Sequence, residues 1–339
     1  MRAVVIGGTG FLGLNLCREL QAAGHDVSAT RRRSSNTLWA RRLGIPLVGG
    51  DLDDPAGLAQ SLRGCDVAFM AAGHYPRWSV DTPRQVAEGL RWLRNAYDAA
   101  RTAGVARFVY TSSSATVAAS AGGGPAAEKN GLAVAPDGST YFAVKLALEA
   151  ELARASVGGP EVVTLCPTGC LGPYDWKVGT GSFVLGVLTK TLSVFVDGPI
   201  NVVDARDVAR SHIAAAERGV AGRRYLLGGH DLTVGALVRG MAERFDVPLV
   251  ARELSADEGY RLAEREEARC VAAGRGRPAL TREFVDLAVH GLHVDSAEAR
   301  TALGHRARPL TETLDDARDW YASHGYVARE AAQSPAQNP

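Results

Sequence analysis

Short apolar runs alternate with segments whose apolar residues recur every three to four positions along the first half of the chain. "AVVIGG" reads as a buried strand. "FLGLNLCRELQAAGH" reads as a helix that closes at Gly24. "DVSATR" and "GIPLVGGDL" read as the second and third strands, and "DPAGLAQSLRGC" as a helix with Asp54 before Pro55 at its first turn. "DVAFMAAG" is the fourth strand, a helix runs from Thr82 to Ala103, and "ARFVYTSSSATV" holds the fifth strand. A loop of small residues over 120–138 leads to the helix "TYFAVKLALEAELARAS" and a sixth strand, "EVVTLCPTG". Such alternation of strand and helix predicts an α/β fold, a doubly wound parallel sheet with helices on both faces. After Gly169 the pattern is irregular, and from Thr233 it is mostly helical and more polar. The reading assigns 1–169 to a nucleotide-binding domain to which about 201–229 also contributes, and 170–200 with 230–326 to a smaller substrate lobe. The small-residue, polar stretch 327–339 is expected to be a disordered tail.

Composition narrows the function classes. The 339 residues carry a formal charge of +1, which offers nothing to attract nucleic acid or a membrane surface. No apolar run approaches the length of a membrane span. The first strand begins at Arg2, so no signal peptide is expected. Five scattered cysteines, an odd number, fit a reducing cytoplasm, and their spacing offers no metal site. Of the 38 basic residues only Lys129, Lys145, Lys177 and Lys190 are lysine, so each is worth weighing.

The chemistry begins at Gly7-Gly8-Thr9-Gly10-Phe11-Leu12-Gly13, between the first strand and the first helix. Glycines there permit a tight turn and let the backbone approach a pyrophosphate seated on the helix N-terminus. The end of the second strand, Thr30-Arg31-Arg32-Arg33, holds no carboxylate for a ribose 2′-hydroxyl. Arg31 and Arg32 suit a 2′-phosphate, which favours NADP(H), with NAD(H) the alternative. Asp51 and Leu52 end the third strand, within reach of an adenine pocket. Tyr141 and Lys145 are four apart on one helix face. An ammonium beside a phenol favours the phenolate, and the phenol can then exchange a proton with a substrate oxygen. The serines after the fifth strand are placed to hold that oxygen.

On GGTGFLG, TSSSATV and Tyr141-x-x-x-Lys145 the chain resembles the extended short-chain dehydrogenase/reductases of the NAD-dependent epimerase/dehydratase superfamily. Within them it is similar to the branch of dihydroflavonol-4-reductase-like and hopanoid-associated sugar epimerase-like proteins, through "FMAAGHYPRW", "NVVDARDVARSHIAAAERG", "RRYLLGG" and "SAEARTALGHRARP". The resemblance implies a Rossmann-type domain, Tyr141 as acid/base, and Lys145 on the nicotinamide ribose and tuning the tyrosine. It implies Ser113 as the oxygen-holding serine, with Ser114 the alternative one register on. Gly7, Thr9, Gly10, Phe11, Leu12, Gly13, Arg31, Arg32, Asp51, Leu52, Ala71, Ala72, Gly73, Pro167 and Cys170 would line the cofactor. It allows a homodimer. The sequence departs from the family at Met70, which stands near a common histidine, and it lacks the Asp-Glu pair of the dehydratases.

His74, Tyr75, Arg77 and Trp78 follow the fourth strand, and with Ser114 and Thr168 they are candidates to line a small-molecule substrate pocket. A rim of packed aromatics is the competing reading. Asp204, Arg206 and Asp207 read as a salt-bridge and cap network, and Arg261, Arg265, Arg269, Arg275 and Arg277 as a solvated face. Together these features lead to an NADP(H)-dependent oxidoreductase reducing a ketone, or oxidising a secondary alcohol, through Ser, Tyr and Lys. A sugar or nucleotide-sugar epimerase with retained NAD(P) is the alternative, and a non-catalytic NADP-sensing regulator is the alternative of another class.

Overall fold

A computed structural model describes residues 1–76, 78–155 and 158–327. The main sheet is built from β1 (Arg2–Ile6), β2 (Asp26–Arg31), β3 (Leu47–Gly49), β4 (Val67–Met70), β5 (Arg107–Thr111), β6 (Glu161–Pro167) and a seventh strand from later in the chain. Between them lie α1 (Phe11–Ala22), α2 (Leu38–Arg42), α3 (Pro55–Leu62), α4 (Thr82–Thr102) and α5 (Thr140–Ala155). There follow β7 (Gly169–Leu171), α6 (Ser182–Leu188), β8 (Val194–Val196), β9 (Pro199–Asp204), α7 (Ala205–Arg218), β10 (Arg224–Leu227) and β11 (His230–Thr233). The chain continues through α8 (Val234–Arg244), β12 (Arg252–Leu254), α9 (Ala256–Ala273), α10 (Arg282–Val289), α11 (Ala297–Leu303) and α12 (Leu310–Ser323).

The seven strands run in the order β10-β6-β5-β4-β1-β2-β3, every pair parallel. The central strands are apolar on both faces because helices cover both. Residues 4 and 6 of β1 pack with α3 and α4, residues 3 and 5 with α1 and α7. Local chemistry starts the helices where the pattern expects. Asp54 accepts the Gly57 N–H ahead of Pro55, and Asp81 accepts the Arg84 N–H at the head of α4. Strand order reverses between β1 and β4, which opens a crevice at their carboxyl ends.

The segment expected to extend the nucleotide-binding domain divides. α7 packs on α1 and β10 joins the main sheet, but β9 lies in a second sheet, β11-β9-β7. The loop 120–138, small in composition, is pinned rather than loose. Ala126 is buried and bridges to Val294, and the Glu128 carboxylate accepts the Leu226 N–H. Val327, placed in the tail by composition, is buried against the core, while 328–339 lie outside the described residues. The Asp204–Arg206–Asp207 network forms as read. Asp204 caps α7, Arg206 bonds Asp204 and Asp316, and Arg308 spans Asp204 and Asp207. The five arginines on and after α9 are exposed.

Candidate active site

The crevice is walled by the glycine turn after β1 and by 71–73 after β4. Gly7 has φ +87°, and a Cβ there would meet the Ala72 backbone N at 2.6 Å. A Cβ on Gly13 would lie 2.3 Å from the Gly7 carbonyl oxygen. Only glycine fits this turn at those two positions. Thr30 supports it from β2 by accepting the Gly7 N–H at 3.2 Å. α1 follows Gly10, which offers no side-chain cap, and has no acidic residue in its first turn, so its N-terminal amides are left for an anion. Phe11 and Leu12 turn into the core beneath. These features fit a dinucleotide, whose pyrophosphate this cradle would hold. Arg31 ends β2 beside Gly49, and Arg31, Arg32 and Arg33 are all exposed. Asp53, the carboxylate facing Arg32, is committed to the Trp92 N–H and to Arg91. The Leu52 carbonyl is held by Asn95, and Asp51 caps its own turn by accepting the Asp53 N–H.

At the other end of the crevice the Tyr141 phenol donates to Ser113 Oγ at 2.9 Å. Ser113, not Ser114, is the hydroxyl in contact. Lys145 lies one turn further along α5, buried, and its Nζ abuts Gly73, where a Cβ would be 3.2 Å away. Burial pulls the Lys145 ammonium down to about 8, partly opposed by Glu149. Burial also dominates Tyr141, with Tyr75 adding to it, and raises the phenol well above its ordinary range. The sequence argument expects Lys145 to lower it; in the structure burial of the phenol dominates, and the Ser113 hydrogen bond is the influence that opposes it. Pro167 ends β6 and Cys170 sits in β7, its thiol raised by burial and bonded to the Thr168 carbonyl at 3.3 Å.

The substrate candidates separate. Tyr75 stands edge-on to Tyr141, centroids 4.8 Å apart, and remains 46% exposed at the mouth. His74 turns instead into α4, bonding Gln85 at 2.6 Å and packing on Trp92. Thr168 is buried and donates to Asn201 at 2.7 Å. Trp78 is half-buried, and Arg77 lies outside the described residues. Met70 is buried in the core.

Three residues of the site escape a reading by motif. Trp176, in the irregular stretch after β7, donates its indole N–H to the Thr9 carbonyl at 2.9 Å and so latches that stretch onto the glycine turn. Glu283, on α10, accepts from the Ser139 hydroxyl at 2.8 Å and from the backbone N–H groups of Thr140 and Tyr141, capping the helix that carries the tyrosine. Glu149, two turns past Tyr141, is buried under Lys145. Its i+8 spacing was legible; its partners on other strands were not.

A doubly wound parallel sheet with a dinucleotide turn at its switch point, and Ser, Tyr and Lys beside it, defines a nicotinamide-dependent α/β enzyme. Residues 3–228 match the NAD dependent epimerase/dehydratase family, and the chain belongs to that family. Its members are NAD(P)-dependent reductases, epimerases and dehydratases acting on CH–OH and C=O groups. The chain is 31% identical over 328 residues to a protein of Synechocystis sp. named "Putative dihydroflavonol 4-reductase", covering 95% of each. It is 29% identical over 297 residues to a 2-alkyl-3-oxoalkanoate reductase of Stenotrophomonas maltophilia, covering 83% of this chain and 87% of that one. The crystal structure of a nucleoside-diphosphate-sugar epimerase from Pseudomonas aeruginosa superposes with a TM-score of 0.80 at 30% identity, over 97% and 99% of the two chains.

Proposed function

We propose that this enzyme is an NADP(H)-dependent reductase of a ketone on a small organic substrate, running in reverse as a secondary-alcohol dehydrogenase. The observation that carries the reading is the contact of the Tyr141 phenol with Ser113 Oγ, 2.9 Å, at the floor of a crevice whose wall at Gly73 touches Lys145. Ser113 donates a hydrogen bond to the substrate oxygen, and Tyr141 transfers its phenolic proton to the same atom. Lys145 binds the ribose next to them and stabilises the negative charge that develops on the phenol oxygen as it gives up its proton. The glycine turn and Lys145 would hold a nicotinamide nucleotide, which when bound would supply the hydride. Tyr75, packed on Tyr141 and open to solvent, forms the near wall of the substrate pocket. Arg31 and Arg32 receive the 2′-phosphate, which favours NADP(H). The names of the two reductase relatives support the direction toward C=O reduction.

The likeness to a nucleoside-diphosphate-sugar epimerase supports a second reading, an epimerase that keeps its cofactor and recycles the hydride. One experiment separates the two. The purified protein is denatured and any released nucleotide identified by mass spectrometry, and the binding of NADPH and NADH is then measured by fluorescence. The reductase reading expects no stoichiometric nucleotide and reversible binding that favours NADPH. Stoichiometric NAD(H) in the released fraction overturns it in favour of the epimerase.

A further inference from the structure

The Tyr141–Lys145 face of α5 continues to Glu149, one further turn along, whose side chain is only 4% exposed. An ionised carboxylate at such a place must be fully engaged to be tolerated. One oxygen takes the Ser112 hydroxyl and, at 3.6 Å, the Cys166 thiol. It also borders the Thr116 hydroxyl, which lies between it and the Ser113 carbonyl and donates to one of them at a time. The other oxygen lies 2.7 Å from Arg224 Nε on β10, and Arg224 also reaches the Thr116 hydroxyl at 3.0 Å. So the residues immediately before and shortly after Ser113, the strands β6 and β10, and the helix bearing Tyr141 and Lys145 all meet on one carboxylate.

We propose that Glu149 is the positioning residue of this site: it ties the serine-bearing turn to the Tyr141–Lys145 face of α5 and supplies the negative charge that keeps Lys145 an ammonium. The proposal rests on the reductase reading only for its consequence, since the network itself is independent of the substrate. Among the described residues, the groups around the pair leave Glu149 as the countercharge to Lys145. Tyr110 on β5, Tyr141 on α5 and Cys166 on β6 are all pushed up by burial and stay neutral near pH 7. Arg224 is positive and offsets part of the carboxylate's effect. Against burial, which lowers Lys145, Glu149 is the leading opposing influence.

The chain has four lysines, so the full-length protein labelled with lysine carrying carbon-13 at Cε gives four resonances. Their titration reads the Lys145 charge with no substrate or cofactor present; a Lys145→Met sample assigns the peak. The midpoint of about 8 in the wild type is expected to fall by about one unit or more in Glu149→Gln. At pH 7 the charged fraction then drops from about nine-tenths to about one half. The double variant Glu149→Gln/Arg224→Met removes the pair together, avoids an orphaned buried cation, and is expected to show a smaller fall in the same direction, because the offsetting arginine charge goes with the carboxylate. Ser112→Ala/Thr116→Val keeps the carboxylate and is expected to leave the midpoint in place, while backbone hydrogen exchange over 114–117 quickens in all three variants. An unmoved midpoint in the two Glu149 variants, or an equal fall in Ser112→Ala/Thr116→Val, overturns the charge assignment. Unchanged exchange over 114–117 overturns the tie. A failed search for a reductase substrate touches neither result.

Discussion

Glu283 offers the sharpest perturbation, because a residue far away in sequence holds the helix carrying Tyr141 and Lys145 at its first turn. Glu283→Ala removes the acceptor for the Ser139 hydroxyl and for the Thr140 and Tyr141 N–H groups. Ser139 and Thr140 are 2% and 1% exposed, so water does not replace the lost partner without rearrangement. Each buried donor left unmet costs about 1–3 kcal/mol. Relief from burying the carboxylate, whose protonation is raised by that burial, offsets part of this. A net loss of about 3 kcal/mol is expected. An unfolding entropy of about 0.7 kcal/mol per kelvin for a chain this long turns that into a Tm lower by about 4 °C. Glu283→Gln keeps a carbonyl acceptor and is expected to lose about half as much. The pH dependence has a definite sign. A carboxyl raised in the folded state contributes stability that is complete below its unfolded pKa and is lost as pH rises through the folded one. The gap between wild type and Glu283→Gln should therefore be wider at pH 4.5 than at pH 7. Circular-dichroism melts at the two pH values measure both quantities. A Glu283→Ala Tm within about 1 °C of the wild type, or a gap that narrows on acidification, refutes the capping argument.

Two substitutions test the cofactor and the acid directly. Arg32→Ala is expected to weaken NADPH by about tenfold to a hundredfold and NADH by less than about twofold, as a charge-assisted bond to phosphate requires; equal weakening in fluorescence titrations removes the basis for NADP preference. Tyr141→Phe deletes the phenolic hydrogen bond to Ser113 while keeping the ring against Tyr75, so turnover on any accepted ketone should fall by about 10²–10⁴ with NADPH affinity unchanged; a variant that keeps near-normal turnover has some other acid.

The alternation of segments through residue 170 was enough to give the parallel sheet, because strands buried on both faces carry their period in their own composition. The glycine turn and the Tyr141–Lys145 spacing were legible for the same reason: each is a local pattern with a local cause. What did not read out was whatever depends on segments that meet only in three dimensions. His74 sits where a substrate residue belongs by topology, yet Gln85 and Trp92 on α4 claim it. Thr168 is spoken for by Asn201, a residue of the second sheet that no periodicity announced. Trp176 and Glu283 reach the site from segments without a motif, and the register between Ser113 and Ser114 needed the Tyr141 contact to decide which hydroxyl faces the phenol. Charge effects were the least legible of all, since Tyr141 and Lys145 are governed by burial, which spacing does not reveal.

That burial has a consequence for the direction and pH range of the chemistry. Near pH 7 the Tyr141 phenol is held neutral, as a proton donor must be, and Lys145, with a midpoint of about 8, is still mostly charged. Both conditions suit reduction. As pH rises, Lys145 titrates first, because its shift is downward while that of Tyr141 is upward. The loss of activity on the alkaline side should therefore follow the lysine near pH 8 and not a phenol above 10. NADPH affinity, measured by fluorescence from pH 6 to 10, should fall along the same curve, since the ammonium is the group assigned to the ribose. Glu149→Gln should move both curves toward acid by the same amount. An affinity flat to pH 9.5 would mean that Lys145 keeps its charge despite its burial, and the account of this site as one tuned by desolvation against Glu149 would be wrong.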